Sequence, residues 1–180
     1  MPLRIVAVSG SLRTPSTSTA LLRAIGDAVA EGRETTLEIV ELSALATDLG
    51  AAIVGGAASD PLAKALDAVT GADLLIVATP VYRGSYTGLF KEFFDLVHQD
   101  ALAGTPVLLA ASGGNDQHSL VIDHELRPLF AFFRAHTLPV GVYARPGDFE
   151  DGAVASDELR TRVARAVDAA APALPITAAG

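Results

Sequence analysis

Short apolar runs alternate with segments of helical periodicity along this chain. The apolar runs are short enough for β-strands, which we predict at residues 3–8, 35–42, 73–80, 105–114 and 138–144. In the segments between and after them, apolar side chains recur every three or four positions. These segments predict helices at residues 18–31, 60–72, about 87–97, 119–135 and 156–171.

Five strands alternating with five helices predict a doubly wound α/β fold, with a parallel sheet and helices on both of its faces. Residues 73–80 are apolar almost throughout, as expected of a strand covered on both sides. Asp60 and Pro61 are expected to open the second helix as its N-cap and first residue. We expect one domain over residues 1–175 and a flexible tail at 176–180. The apolar side of the first helix consists of Leu21, Leu22, Ile25 and Val29.

Three loops are predicted to meet at one edge of this sheet. Ligands of doubly wound folds bind beyond the carboxyl ends of the strands. The loops after the first, third and fourth strands lie there and are rich in Gly, Ser, Thr or Pro; they span residues 9–18, 79–88 and 112–118. Their shared position predicts a single binding site.

The first loop, SGSLRTPSTS, has the composition of a phosphate site. It is rich in hydroxyls, precedes a helix and contains one cation, Arg13, which suits a single phosphate monoester. It has neither the G-x-G-x-x-G of dinucleotide folds nor the G-K-[ST] of P-loops. The alternative is that the Ser and Thr residues only cap the helix and form a solvated turn.

The second and third loops have features that suit a flat ring. Tyr82 and Tyr86 can flank a planar heterocycle, and Arg83 can attract a second, anionic ligand. Gly113 and Gly114 leave the backbone bare, so that a ring can approach closely. The alternatives are tyrosines that pack against neighbouring elements or subunits, and a plain turn. Together the three loops indicate flavin mononucleotide (FMN), which has one phosphate, a polar chain and a flat ring.

Composition and charge exclude several other classes. The 180 residues carry 13 Lys and Arg against 21 Asp and Glu, and a net charge of −8 argues against nucleic acid and anionic membranes. Because there is no cysteine, any redox role requires a bound cofactor. No histidine pair has metal-ligand spacing on one helix, so no metal site is predicted. With no signal peptide and no apolar run of about 18 residues, we expect a cytoplasmic protein.

Three blocks of the sequence resemble the signature blocks of the NAD(P)H-dependent FMN reductases of flavodoxin-like fold. They are GSLRTPSTSTAL, TPVYRGSYTGLFKEFFDL and ASGGNDQHSLVIDHELRPLF, and the resemblance runs in register over about residues 3–170. The most similar subgroup supplies reduced FMN to flavin-dependent alkanesulfonate and related sulfur-assimilation monooxygenases. The resemblance implies a five-stranded parallel sheet in the order 2-1-3-4-5.

The resemblance also implies which residues bind FMN. The phosphate would be held by Ser11, Arg13, Ser18 and Thr19, with Ser16 nearby. The isoalloxazine ring would be lined on one side by Pro80, Val81, Tyr82 and Arg83, with Ser85 close by, and on its other edge by Ser112, Gly113 and Gly114.

The implied reaction is hydride transfer from NADPH or NADH to FMN, for which no protein acid or nucleophile is required. We therefore predict no catalytic side chain. One alternative is a flavoprotein that retains its FMN and reduces quinones, azo compounds or metal oxyanions. A second is a flavodoxin-like electron carrier without a nicotinamide site.

Pro128 lies inside an otherwise helical run and predicts a local distortion. It lacks the N–H that would bond to the carbonyl of His124, so the helix is expected to kink or bulge there. The resemblance matches His124 to a tyrosine in a π-helical insertion at the tetramer interface of the sulfonate-linked reductases. It implies a homodimer or homotetramer with this helix near an interface; the alternative is an ordinary surface histidine.

Overall fold

The computed structural model describes residues 1–174, so the predicted tail at 176–180 lies outside the described residues. Its main feature is a parallel sheet in the order β2-β1-β3-β4-β5, which confirms the predicted doubly wound, flavodoxin-like topology. A short strand β6 continues the β5 edge and also pairs with β4. The strands are β1 (Leu3–Ser9), β2 (Thr35–Glu41), β3 (Leu74–Pro80), β4 (Pro106–Ser112), β5 (His136–Thr137) and β6 (Val142–Ala144).

Helices cover both faces of the sheet. They are α1 (Thr17–Ala30), α2 (Ala46–Ile53), α3 (Asp60–Thr70), α4 (Gly88–Asp95), a π-helix (Ile122–Leu126), α5 (Arg127–Phe132) and α6 (Asp157–Ala170). Short 3₁₀ turns lie at Leu42–Leu45, Asp116–His118, Pro146–Asp148 and Ala171–Ala173. A hairpin of β7 (Phe149–Glu150) and β8 (Ala153–Val154) precedes α6. Within residues 1–174, no helix has the length and apolar character needed to cross a membrane.

The strands bury side chains on both faces, which explains their nearly continuous apolar sequences. In β1, Ile5 and Ala7 pack on the side of α1 and α6, whereas Val6 and Val8 pack on the side of α2 to α5. All four are fully buried. Full burial of a Val or Ile side chain stabilises a fold by about 1.5–3 kcal/mol. The predicted apolar side of α1 is confirmed, because its four residues are buried in the same cluster.

Two helix predictions need correction. The N-cap of α3 is Ser59, whose hydroxyl accepts a hydrogen bond from the Leu62 N–H at 3.3 Å, and Asp60 is already the first helical residue. Ser and Asp are comparable caps, so the sequence pattern alone does not choose between neighbours. The connection after β2, where no helix was predicted, contains a 3₁₀ turn and α2, in which Leu49 is buried against the core.

The predicted fifth strand over residues 138–144 is wrong in its extent. Two short strands, β5 and β6, pair with opposite ends of β4, and Leu138–Gly141 lies between them. Pro139 lies in this gap, and proline has no N–H to donate to a strand ladder. The edge of the sheet is therefore interrupted beside the middle of β4.

The distortion predicted at Pro128 is confirmed as a π-helix. The predicted helix over 119–135 consists of the π-helix followed by α5, and the Arg127 N–H donates to the carbonyl of Ile122, five residues earlier. Ile122 and Leu126 are buried, while His124 is exposed. The wider turn accommodates the missing donor of Pro128 without ending the helix.

Candidate functional site

The three predicted loops leave the same edge of the sheet. Ser9, the last residue of β1, is in register with Ala78 of β3, and Pro80 at the end of β3 is in register with Ser112 at the end of β4. Because the strands are parallel, the segments after Ser9, Pro80 and Ser112 begin side by side. The geometry therefore brings the sequence-predicted residues together.

The first loop runs from β1 into the amino end of α1. The hydroxyl of Ser11 donates to the carbonyl of Arg13 at 3.0 Å and accepts from its N–H at 3.2 Å, which folds the loop back on itself. Ser16 caps α1 by accepting from the Thr19 N–H at 3.2 Å. Arg13 is exposed at the tip. The amino end of α1 directs its dipole and the first-turn N–H groups that Ser16 does not cap toward this loop, which favours an anion there.

Two predicted phosphate ligands turn their hydroxyls inward. Thr19 Oγ1 lies 2.9 Å from Ser9 Oγ and 2.9 Å from Glu41 Oε1, and only 9% of the residue is exposed. Ser18 is buried, with its hydroxyl 3.0 Å from that of Ser112. Ser18 and Thr19 therefore face the loop with their backbone rather than with their hydroxyls. Their role in binding stays a prediction.

Ser112 connects the three loops. Its carbonyl accepts from the Val81 N–H at 2.8 Å, so the second and third loops are joined at their origin. Its hydroxyl contacts Ser18 at 3.0 Å and Thr17 Oγ1 at 3.4 Å, which joins the third loop to the first turn of α1. Only 3% of Ser112 is exposed, so these contacts are shielded from water.

We expect Ser112→Ala to lower the free energy of unfolding by about 1–2 kcal/mol, because the hydroxyl of Ser18 would remain buried without its partner. The same variant is expected to bind the ligand of the three loops more weakly, since the first turn of α1 would lose its side-chain contacts with the start of the third loop. Urea denaturation measures the first effect, with Ser43→Ala on the 3₁₀ turn after β2 as control. Equal stability of Ser112→Ala and the wild type would contradict this role.

The second loop contains a tight two-residue turn. Tyr82 and Ser85 exchange backbone hydrogen bonds of 2.9 and 3.1 Å, and Arg83 and Gly84 between them have φ values of 53° and 82°. Two successive positive φ values are typical of a type I′ turn, in which a non-glycine residue at the first position is strained. Tyr82 is 41% exposed. Pro80 and Val81 are half-buried where the loop leaves β3.

Thr87 attaches the second loop to the first. Its hydroxyl donates to the carbonyl of Gly10 at 2.7 Å and also caps α4 by accepting from the Phe90 N–H at 3.3 Å. The Gly10 N–H in turn donates to the carbonyl of Ala78, near the end of β3. Neither Gly10 nor Thr87 was selected from the sequence. The position of Gly10, between a strand and a hydroxyl-rich loop, is the sequence feature that could have identified it.

The third loop begins with two glycines and is anchored by a hydrogen bond at Asn115. A Cβ on Gly113 would lie 2.5 Å from the hydroxyl of Tyr143, whereas a Cβ on Gly114 would meet nothing within 4 Å. Tyr143 donates to the carbonyl of Asn115 at 2.6 Å. Burial raises the pKa of the Tyr143 phenol, and the nearby charge of Asp116 raises it further, while Arg145 opposes them. The phenol therefore stays protonated at neutral pH and keeps donating to the loop.

The charge and shape of this edge suit a ligand with one phosphate and one flat ring. Arg13 and Arg83 are exposed on different loops and supply positive charge in a chain of net charge −8. The open space beside Gly114 admits a ring against the backbone.

Among the described residues, Nδ1 of His118 is buried without a hydrogen-bond partner. His118 Nδ1 also lies 3.3 Å from the position that a Cβ on Gly113 would take, so it packs under the same loop.

Several known proteins similar to this chain are named for the reduction of FMN. The FMN reductase (NADPH) of Pseudomonas aeruginosa is 46% identical over 171 residues, 95% of this chain and 92% of that protein. The NADH-dependent FMN reductase SfnF of Pseudomonas fluorescens is 47% identical over 95% of this chain and 91% of its own length. The solved apo structure of the NADH:FMN oxidoreductase EmoB superposes with a TM-score of 0.86 and 32% identity, covering 98% of this chain and 92% of EmoB.

Family membership agrees with the topology and with the position of the three loops. Residues 3–150, which include all three loops, match the family described as NADPH-dependent FMN reductase. The chain belongs to this family of flavodoxin-like FMN reductases.

Proposed function

We propose that this protein transfers hydride from NADPH or NADH to FMN and supplies the reduced FMN to a flavin-dependent monooxygenase. The observation that supports this most directly is the junction at Ser112, where one residue holds a phosphate-type loop, an exposed aromatic turn and a glycine loop together. The names of the relatives support FMN and both nicotinamides as reactants.

In this proposal the first loop binds the phosphate of FMN, and the second and third loops bind its ring. The phosphate lies in the first loop, bound by the hydroxyls of Ser11 and Ser16, the guanidinium of Arg13 and the N–H group of Ser18. Thr19 lies at the same amino end of α1, with its N–H donated to Ser16. The ring lies against the second and third loops, formed by Pro80, Val81, Tyr82, Arg83, Ser85, Ser112, Gly113 and Gly114. When bound, FMN supplies the hydride-accepting ring and carries the electrons away.

The protein contributes orientation and electrostatics. The turn at Tyr82–Ser85 and the bare backbone at Gly113 and Gly114 define where a ring can lie, and this fixes its distance to a nicotinamide stacked on its open face. Loop N–H groups stabilise negative charge that develops on the ring edge. No side chain is assigned as an acid, base or nucleophile.

The phosphate part of the proposal predicts a selective effect of Arg13. We expect Arg13→Ala to weaken FMN binding about tenfold, because a charge-assisted contact to the phosphate is lost. Binding of riboflavin, which lacks the phosphate, is expected to stay unchanged. Quenching of flavin fluorescence measures both affinities. Arg33→Ala, which removes the same charge beyond the other end of α1, serves as control. An equal loss for FMN and riboflavin would contradict the assignment.

The activity is tested by following absorbance at 340 nm with flavin-stripped protein, NADPH or NADH, and varied FMN in air. We expect saturable oxidation that requires added FMN at micromolar concentration, and the same assay ranks the two nicotinamides. No oxidation with either nicotinamide would overturn the proposal and favour an electron carrier. A yellow protein that keeps its FMN and reduces quinones would favour the alternative with a retained cofactor.

The monooxygenase partner, the assembly and the compartment belong to the same proposal. An enzyme that releases reduced FMN requires a second protein to use it before oxygen does, and the Sfn-named relatives are consistent with such a system. We place the reaction in the cytoplasm, where reduced nicotinamide is available. The exposed side chains of Leu120 (59%) and His124 support a homodimer or homotetramer with the π-helix near the interface.

A further inference from the structure

A side-chain hydrogen bond joins the π-helix to the turn of the second loop. The hydroxyl of Ser85 donates to Oε2 of Glu125 at 2.9 Å, and the two residues are 40 positions apart in the chain. Both residues are half-buried, so the bond is partly shielded from water. A partly shielded bond to a carboxylate is stronger than a bond between neutral groups.

The segment that carries Glu125 is firmly attached to the sheet. Ile122 and Leu126, at the two ends of the π-helix, are 6% and 0% exposed. Just beyond it, Arg127 Nη1 donates to the carbonyl of Leu138 at 3.0 Å. Glu125 therefore extends from a support whose position is set by the core.

The turn that contains Ser85 has less support from the core than the π-helix has. Tyr82, Arg83 and Gly84 are exposed, and Arg83 has the strained φ of 53°. A cleft of about 230 Å³ separates Gly84 from the π-helix, with His118, His124 and Glu125 on its walls. Side-chain packing does not fill this gap, and the bond from Ser85 to Glu125 links the turn to the π-helix across it.

The π-helix presents side chains in two directions. Ile122 and Leu126 are four residues apart, lie on one face and are buried in the core. Glu125 lies between them in the sequence and is half-buried, and its carboxylate accepts from Ser85. The widened segment around Pro128 therefore carries the hydrogen-bond partner of the second loop.

We propose that Glu125 is a positioning residue for FMN, whose carboxylate holds Ser85 and with it the Tyr82–Ser85 turn where the ring binds. This inference rests on the proposed function. Glu125 acts through Ser85 and is not a catalytic residue. The bond reduces the number of conformations of the turn before FMN arrives, and so increases the fraction of protein that is ready to bind.

The test compares three single variants by FMN titration, thermal unfolding and hydrogen exchange at the amides of Tyr82 and Ser85. We expect Glu125→Ala to raise the Kd for FMN about tenfold and to speed exchange at both amides. Because a single partly exposed bond is lost, its melting temperature should fall by no more than about 4 °C. Glu125→Gln, whose amide oxygen accepts the same bond, should recover most of the affinity. Asp123→Ala serves as control, because Asp123 pairs with Arg127 at 2.9 Å on the exposed side of the same helix.

A double variant separates positioning from general stability. If Glu125 acts through Ser85, Glu125→Ala should have no further effect on FMN affinity in a Ser85→Ala background. If the wild type binds FMN and the Glu125→Ala and Asp123→Ala variants bind it with equal affinity, this inference is overturned and the proposed function still stands. Parallel loss of affinity and melting temperature without rescue by Gln would also overturn it. A wild type that does not bind FMN would overturn both.

Discussion

Asp148→Asn is expected to lower the free energy of unfolding by about 2–3 kcal/mol at pH 7, the largest effect of any substitution considered. Asp148 is 2% exposed and accepts from Nη2 of Arg162 at 3.1 and 3.2 Å and from the Arg145 N–H at 2.8 Å. Arg162 also donates to the carbonyl of Tyr143, so this pair fixes α6 to the end of β6. Asparagine keeps the shape but leaves the guanidinium without its counter-charge.

The contribution of Asp148 is expected to depend on pH. Burial alone would raise the pKa of this carboxyl. Hydrogen bonds from the Arg145 N–H and the Ser156 side chain, together with the charge and hydrogen bond of Arg162, outweigh burial and hold the pKa below its ordinary value. A group with a lowered pKa in the folded state stabilises fully above its unfolded pKa, about 3.9 for Asp, and loses this as pH falls through the folded value.

Urea denaturation of the wild type and Asp148→Asn between pH 7 and pH 3 checks both statements. The difference in unfolding free energy should be constant from pH 7 to about pH 5 and should shrink below about pH 4. Asp95→Asn is the control, because Asp95 and its partner Lys91 are 53% and 43% exposed and such pairs contribute little. A difference that grows as the solution becomes more acidic would contradict the account.

Gly10→Ala is expected to cost about 2 kcal/mol of stability and to weaken FMN binding. A Cβ at this position would lie 2.8 Å from Cδ2 and 3.1 Å from Cβ of Phe90, and 3.1 Å from the hydroxyl of Thr79. Phe90 is fully buried and its ring contacts those of Phe94 and Phe130, so it cannot move aside without disturbing the core. The added methyl would therefore shift the start of the phosphate loop.

The matched control for Gly10→Ala is Gly50→Ala in α2. A Cβ at Gly50 would meet nothing within 4 Å, and alanine favours a helix over glycine, so this variant should be as stable as the wild type or more stable. Urea denaturation and flavin fluorescence measure the two effects. If both glycine variants were equally stable and bound FMN equally well, the close contact between Gly10 and Phe90 would not limit the loop.

Much of the fold follows from local patterns in the sequence. Apolar runs buried on both faces gave β1, β3 and β4, and the side of α1 that faces the sheet was read from its spacing. Errors arose where tertiary contacts decide. Pro139 interrupts the last predicted strand at the edge beside β4, and the burial of Leu49 supports a helix that has no strong cap in its sequence. The Asp151–Gly152 turn of the β7–β8 hairpin, with both φ values positive, carried a recognisable signal that was not used.

The candidate site shows the same division. The three loops could be located because strand ends in a parallel sheet meet at one edge. The inward hydroxyls of Ser18 and Thr19 could not be predicted, since their partners, Ser112 and Glu41, lie far away in the sequence. The same holds for the bond between Ser85 and Glu125, which lie 40 positions apart in the sequence.

The most direct test of the central claim is a crystal structure of this protein grown with FMN. We expect the phosphate within hydrogen-bonding distance of Ser11, Arg13 and the amino end of α1, and the ring against the Tyr82–Ser85 turn and Gly114. The chain offers a different cleft of about 570 Å³ between α1 and α6, lined in part by Asp27 and Arg160. FMN bound in that cleft, or a ring that does not touch the second and third loops, would contradict the account.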